Sequence, residues 1–327
     1  MRQNVWFIEK PGGEFRKVEV PRPTVGANQV LVRISASGVN PLDTKIRAGK
    51  AAHAKQPFPA VLGLDMAGTV EEVGPGVTAF SPSDEVYGMV GGVGGLQGTL
   101  AEFIAVDAEL LAHKPKNLSM RQSAALPLSA ITAWEGLVDR ARVHEDQKVL
   151  IHAGAGGIGH VAVQIARAFG AEVFATASPD KKNIVEGFGV TAIDYRSVSV
   201  EEYVAAYTGG KGFDIVYDTV GGATLDASFG AVKRYTGHVL SCLGWSSHSL
   251  APLSFRGATY SGVFTLLPLI TGESREHHGK ILARAAALAE AGSLRPLLND
   301  QRFSIAEVDS AHALVESGAL GKVIVEL

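Results

Sequence analysis

Residues 149–159 read VLIHAGAGGIG: an apolar run delivers the chain into glycines spaced as Gly154, Gly156 and Gly159, and an amphipathic segment follows. Glycines at this G-x-G-x-x-G spacing between a strand and a helix form the turn of a dinucleotide-binding βαβ unit. Gly154 is expected to allow the tight turn, Gly156 to let the backbone approach a pyrophosphate, and Gly159 to let the helix lie against its strand. Gly157 and Ile158 complete the cradle. Phosphates would then meet the free N–H groups and the positive dipole end of the helix N-terminus. The spacing alone is a weak signal, and its neighbours decide it.

Residues 160–169 (HVAVQIARAF) carry apolar side chains at helical spacing, Gly170 stops the helix, and 172–176 (EVFAT) reads as a second strand. An acid at the tip of that strand would accept the ribose hydroxyls of NAD. Here Ala175, Thr176, Ala177, Ser178 and Pro179 offer none, and Lys181 and Lys182 follow. A small, hydroxyl-bearing, basic pocket suits the 2′-phosphate of NADP, although the two lysines would serve equally as a solvated helix start.

At 327 residues, 46% hydrophobic and 19% charged with 38 glycines, the chain is expected to make a soluble α/β protein of about two domains. A net charge of −3 and the lack of basic runs with interleaved aromatics argue against a nucleic-acid surface. The start, MRQNVWFIEK, lacks the charged opening and continuous apolar run of a signal peptide, and 263–270 is too short for a bilayer. A cytoplasmic protein without membrane contact is expected. The single cysteine, Cys242, excludes internal disulfides and a thiolate-rich zinc site. In its apolar strand it reads as a small buried hydrophobe.

Residues 1 to about 120 alternate short strands with turns, such as 4–9, 15–20 and 29–37. The segment 38–49 (GVNPLDTKIRAG) then passes Pro41 into a short helix, which places Asn40, Asp43 and Lys45 near a strand terminus. Residues 91–98 (GGVGGLQG) read as a mobile loop, with backbone approach to a ligand as the alternative. From Ser119 the pattern turns helical, interrupted by Pro127, and strands follow at 192–195, 213–220, 238–243 and 259–264. With the first two they make a six-stranded doubly wound sheet. The last strands, 301–304 and 322–327, have no place in it and are expected to return to the first domain. The reading is a β-rich domain of residues 1–122 and 266–327 and a dinucleotide domain of 123–265, with cofactor and substrate in a cleft between them.

Ordered along the chain, Gly38–Asp43 (GVNPLD), Gly63–Gly68 (GLDMAG), Gly98–Phe103 (GTLAEF), Ala124–Glu135 (AALPLSAITAWE), Gly154–His160 (GAGGIGH) and Ile193–Tyr195 (IDY) carry a family resemblance. The chain resembles the medium-chain dehydrogenase/reductase superfamily, and within it the zinc-independent NADPH:quinone oxidoreductases of the zeta-crystallin-like branch. The resemblance implies a GroES-like catalytic domain with a Rossmann domain. In the zinc-dependent alcohol dehydrogenases a Cys lies near 38–43, a His stands in a GHE motif, and a later Cys or acid completes the set. Here Asn40 and Leu64 occupy those places and the four-cysteine lobe is missing, so neither zinc site is expected. His277 and His278 are adjacent, cannot converge on one ion from one helix face, and read as exposed polar residues.

Without a Lewis acid an alcohol loses its activation, whereas an electron-poor quinone or enone needs a hydride, orientation and a proton. The resemblance implies NADPH as cofactor, with Asn40 and Thr132 at the nicotinamide end, Val220 and Gly221 walling it, and Ser178, Lys182 and Tyr195 around the 2′-phosphate. Asn40 could instead cap the following turn, Thr132 pack its helix, and Asp43 anchor the helix it begins. Where many quinone reductases of this branch carry a tyrosine after GVN, this chain has Lys45, which reads as a proton donor or as a surface residue. Tyr87 is a second candidate for the substrate wall, with core packing as the favoured reading. The favoured function is reduction of quinones or related conjugated carbonyls. An enoyl or double-bond reductase and a cofactor-binding protein with vestigial catalysis stay open, with a zinc alcohol dehydrogenase far behind. A homodimer is expected through the sixth strand, whose apolar run on to Ile270 would otherwise leave an open edge.

Overall fold

Short alternating runs build the first of two units in the computed structural model, which describes residues 1–327. β1 (Arg2–Ile8) pairs antiparallel with β2 (Arg16–Pro21), and β3 (Gln29–Val39) buries Val30, Val32 and Ile34 from alternate positions. Pro41 begins α1 (Pro41–Arg47), where Asn40 is the N-cap and Asp43 closes a capping box. Next come β4 (Ala60–Val61), β5 (Asp65–Val73), β6 (Glu85–Met89), β7 (Phe103–Asp107) and β8 (Leu111–His113). β4 joins β1, while β3, β5, β6 and β8 lie side by side with β7 on β3. The glycine-rich run 91–98 is a folded turn and not the loose loop expected. Gly92 donates to the Leu96 carbonyl, Gly94 to Ala54 and Gly98 to Val61, and a Cβ at Gly91 would stand 1.8 Å from the Gln97 carbonyl oxygen. Its glycines serve close backbone packing.

α2 (Met120–Ser123) packs on β3 and β5, so it belongs to the first unit. The chain passes into the second unit after Leu128, inside α3 (Pro127–Trp134), rather than at residue 122. Residues 135–140 continue as a π-helical turn. There follow β9 (Lys148–Ile151), α4 (Gly159–Ala168), β10 (Glu172–Ala177), α5 (Lys182–Glu186), β11 (Thr191–Asp194), α6 (Val200–Thr208), β12 (Ile215–Asp218), α7 (Ala223–Ala231), β13 (His238–Ser241), α8 (Ala251–Ser254) and β14 (Thr259–Gly262). All pairings are parallel, in the order β11-β10-β9-β12-β13-β14. This is the doubly wound order of a Rossmann sheet. Leu150, Phe174, Val216 and Val239 from four strands pack with Tyr203, Phe213 and Phe229 in one core cluster, as expected for a parallel sheet covered by helices. The apolar residues after β14 do not prolong it. Val263 and Leu266 are buried, and 267–271 form α9 (Leu267–Thr271), with Pro268 unable to donate to a ladder.

From Leu266 the chain is again part of the first unit. α10 (Arg275–Glu290) packs on β8. His278, expected at the surface, is buried with Leu282, Ala285 and Ala289, because the four lie at helical spacing on one face. β15 (Phe303–Ser304), α11 (Val308–Glu316) and β16 (Val323–Glu326) complete the chain. β16 pairs antiparallel with the end of β3, Val323 opposite Val39. The C-terminal strand therefore runs beside the one that leads to Asn40.

Candidate cofactor site and the buried cluster around Asn40

In the second unit the turn after β9 divides its tasks differently from the sequence expectation. The residue with left-handed backbone is Ala153, at φ 54°, and not Gly154. Gly154 is needed because a Cβ there would meet Ala175 Cβ at 2.6 Å, and Gly159 because one there would stand 2.0 Å from the Ala153 carbonyl oxygen. Gly156 would touch only its own turn, Gly157 is exposed and Ile158 is half-buried. Gly156 gives its N–H to the Ala153 carbonyl at 2.8 Å, so the open backbone at the head of α4 is at 157 and 158. Thr176 Oγ1 accepts the Ala153 N–H at 3.0 Å and lies 3.2 Å from His152 Nδ1. Burial pulls the His152 pKa down to about 4, so the ring is neutral near pH 7.

Val220 and Gly221 follow β12, with Val220 half exposed and Gly221 at φ 82°. Their N–H groups donate to Asp218 Oδ1 at 3.0 and 2.9 Å, and Ser241 Oγ donates to Asp218 Oδ2 at 2.7 Å. Asp218 shapes this turn and escaped the sequence reading. Its signal was an acid closing the apolar strand IVYD just before two glycines. Thr132 is buried on α3, and its carbonyl accepts the Tyr217 hydroxyl at 2.7 Å.

At the tip of β10, Ser178 is buried, and its hydroxyl bonds the exposed Asp180 carboxylate. That bond, above all, holds Asp180 below the usual carboxylate range, with Lys181 and Arg196 adding to it. An acid therefore does stand just beyond the strand, contrary to the sequence reading, and it occupies the Ser178 hydroxyl. Lys182 Nζ lies 3.7 Å from Glu186. Tyr195 is exposed, with the Arg196 guanidinium 5.8 Å from its ring centroid. Arg196 was also missed, although it directly follows the IDY run.

In the first unit Asn40, Asp43, Asp65 and Lys322 form a buried cluster. The Asn40 N–H donates to Asp43 Oδ2 at 2.7 Å, and its side-chain amide donates to Asp65 Oδ2 at 2.9 Å. Lys322 Nζ donates to Asn40 Oδ1 and stands 3.8 Å from Asp65 Oδ2, while Asp65 Oδ1 accepts the Leu128 N–H at 3.0 Å. Burial raises Asp43 from 3.8 to about 7 and Asp65 to about 6, and lowers Lys322. Lys322 was invisible in the sequence, since only the pairing of β16 with β3 brings it here.

Asn40 and Tyr87, both candidates at the site, are engaged within the fold in the roles that the sequence left open beside it, a cap and a core residue. Asn40 is buried, caps α1, and spends its amide on Asp65 and Lys322. Tyr87 is fully buried and donates its hydroxyl to the Leu282 carbonyl at 2.6 Å, as a core residue would. Lys45 is exposed on α1. Leu64 is buried and offers no metal donor, and no three His, Cys, Asp or Glu residues are grouped to hold an ion. Cys242 is a buried free thiol whose pKa burial pushes up to about 12, as suits a small core residue. A surface hollow lined by Asn28, Gln97, Asp107 and Arg275 shares no residue with either constellation.

Comparison with known proteins places these features in a family. The alcohol dehydrogenase GroES-like domain model matches residues 26–116, and the zinc-binding dehydrogenase model matches 189–325. The chain is 32% identical to the human NAD(P)H oxidoreductase RTN4IP1, mitochondrial, over 98% of this chain and 88% of that one. It is 35% identical to the tomato 2-methylene-furan-3-one reductase over 93% and 73%. Among solved structures, an alcohol dehydrogenase superfamily protein from Novosphingobium aromaticivorans superposes with TM-score 0.97 at 55% identity, covering 99% of both chains. The quinone oxidoreductase from Coxiella burnetii gives 0.84 at 26%, covering 100% of both. The chain belongs to the medium-chain dehydrogenase/reductase superfamily, in its zinc-independent branch. It is an oxidoreductase acting on small molecules, and its cofactor class is the nicotinamide dinucleotides. No helix is long and apolar enough to cross a membrane.

Proposed function

We propose that the protein is an NADPH-dependent reductase of quinones and related conjugated carbonyls. The observation that carries the reading is the open backbone at Gly157 and Ile158 heading α4, together with the cationic residues Lys181 and Lys182 beyond the second strand and Arg196 beyond the third. When bound, the nicotinamide supplies a hydride. Backbone N–H groups at Gly157 and Ile158 hold the pyrophosphate. Lys182, Arg196 and Tyr195 hold the 2′-phosphate, and Ser178 fixes Asp180 beside them. Val220 and Gly221, pinned by Asp218, wall the nicotinamide half, with Thr132 at its reactive end. Leu64 and the amide of Asn40, itself bonded to Lys322, supply no metal site, so alcohol oxidation lacks its activating Lewis acid.

Reduction of an enone is the second reading, favoured by the name of the tomato relative. NADPH oxidation across a quinone, an enone, an aldehyde and a primary alcohol tests both: turnover of the first two and not the alcohol is expected, and an alcohol as preferred substrate would overturn the proposal. A cytoplasmic setting accords with the single buried thiol.

The same proposal includes a homodimer through β14. That strand ends the sheet, and Tyr235, before β13, and Phe255, before β14, are 84% and 85% exposed. Sedimentation giving a monomer at micromolar concentration would count against it.

A further inference from the structure

We propose that Ser246, His248 and Asp226 form a proton relay that passes a solvent proton to the reduced substrate; this rests on the reductase reading above. Ser246 Oγ lies 2.7 Å from His248 Nε2, and His248 Nδ1 lies 2.8 Å from Asp226 Oδ1. Each ring nitrogen thus faces the partner it has in a hydroxyl–imidazole–carboxylate triad, where roles follow geometry and not sequence position. The imidazole is nearly covered, its side chain 8% exposed, whereas the Asp226 side chain is 53% exposed and Ser246 is open to solvent. A shielded ring therefore joins a water-facing carboxylate to a hydroxyl at the loop tip.

The location suits the task. Residues 244–250 leave the C-terminal end of β13, and Asp226 lies on the helix that follows β12. A Cβ at Gly221 would stand 2.7 Å from the Leu243 carbonyl oxygen, so this loop abuts the Val220–Gly221 turn. Ligands of doubly wound sheets bind outside the carboxyl ends of the strands, and the second half, here β12 to β14, takes the nicotinamide mononucleotide.

For an enone the step balances as follows. The hydride supplied by reduced nicotinamide, with its electron pair, forms the β-carbon C–H bond, and the alkene π pair moves to make the enolate. The Ser246 hydroxyl proton forms the α-carbon C–H bond. Ser246 recovers a proton from Nε2–H of the doubly protonated His248 ring, whose Nδ1–H stays hydrogen-bonded to Asp226, and once product has left a solvent proton returns to Nε2 through the exposed Ser246 hydroxyl. One hydride and one solvent proton are added.

The test reduces an enone with a prochiral α-carbon by NADPH in D2O, beside a quinone. Ser246→Ala and His248→Gln are expected to lower the enone-to-quinone turnover ratio at least tenfold, in keeping with the contribution of about a hundredfold or more from a positioned acid, and to scramble the α-carbon face that takes deuterium. Ser247→Ala is the control and should keep both. Independently of turnover, a low-field His248 Nδ1–H resonance in the 15N-histidine-labelled protein should vanish in Asp226→Asn. Retained facial selectivity in Ser246→Ala and His248→Gln, or no such resonance in the wild type, overturns the relay while leaving the reductase reading intact. A wild type that reduces neither acceptor removes both.

Discussion

The Asp218 carboxylate accepts the Gly221 N–H at 2.9 Å, and with its other oxygen it receives the Ser241 hydroxyl at 2.7 Å. One buried acid thereby fixes the left-handed turn at the end of β12 and ties it to β13. Hydrogen bonds to a charged group contribute about 1.5–3 kcal/mol each. Asp218→Ala, which strips three donors of their acceptor, should lose about 3 kcal/mol or more in urea unfolding. A loss below about 1 kcal/mol would show that the turn stands without it.

Lys182 and Arg196 should matter for one cofactor and not the other. Lys182→Ala and Arg196→Ala are each expected to raise KM for NADPH about tenfold, or about 1.4 kcal/mol, with little change for NADH. Asp180→Asn should act in the opposite sense on NADPH, because it removes a negative charge beside the phosphate position. Equal effects on both cofactors would move the 2′-phosphate elsewhere.

Ala153 and Gly159 predict contrasting outcomes within one turn. A non-glycine at φ 54° carries backbone strain, so Ala153→Gly should be neutral or stabilising within about 1 kcal/mol. Gly159→Ala would drive a Cβ to 2.0 Å from the Ala153 carbonyl oxygen and should abolish nucleotide binding. Binding measured by nucleotide fluorescence and stability by thermal unfolding separate the two.

The cluster beside Asn40 predicts a pH dependence of stability. Folded Asp43 holds its proton up to about 7, against 3.8 for an unperturbed carboxyl, so between those values the native state binds the extra proton. Its contribution to stability therefore declines as pH rises through that window. His152 and His312, held neutral by burial, act in the opposite direction at lower pH. The readout is accordingly the difference between wild type and Asp43→Asn, which should shift in favour of the variant from about pH 5 to about pH 8. A constant difference would contradict the buried-acid account.

What the sequence discloses follows from the range of the interactions. The glycine turn and the six strands are local patterns of period and spacing, and the return of the C-terminus followed from the last strands having no place among those six. Leu64 in place of a ligand was equally legible. The cap at Asn40 and the core place of Tyr87 were legible as alternatives, but their partners Lys322 and Leu282 were not, since they lie far along the chain and only the sheet pairing and the packing of α10 bring them close. Asp180 was overlooked because it lies beyond the strand tip and meets Ser178 only through the bend at Pro179. The apolar run 263–270 reads as strand by hydropathy, yet it leaves the sheet after β14, and with Pro268 unable to donate to a ladder its second half forms the helix Leu267–Thr271.

The central claim is use of NADPH by a metal-independent reductase, and kcat/KM for NADPH against NADH with a para-quinone acceptor tests it most directly. The account predicts a preference for NADPH of at least about tenfold, equivalent to about 1.4 kcal/mol from the phosphate contacts. Equal values, or a preference for NADH, would contradict it.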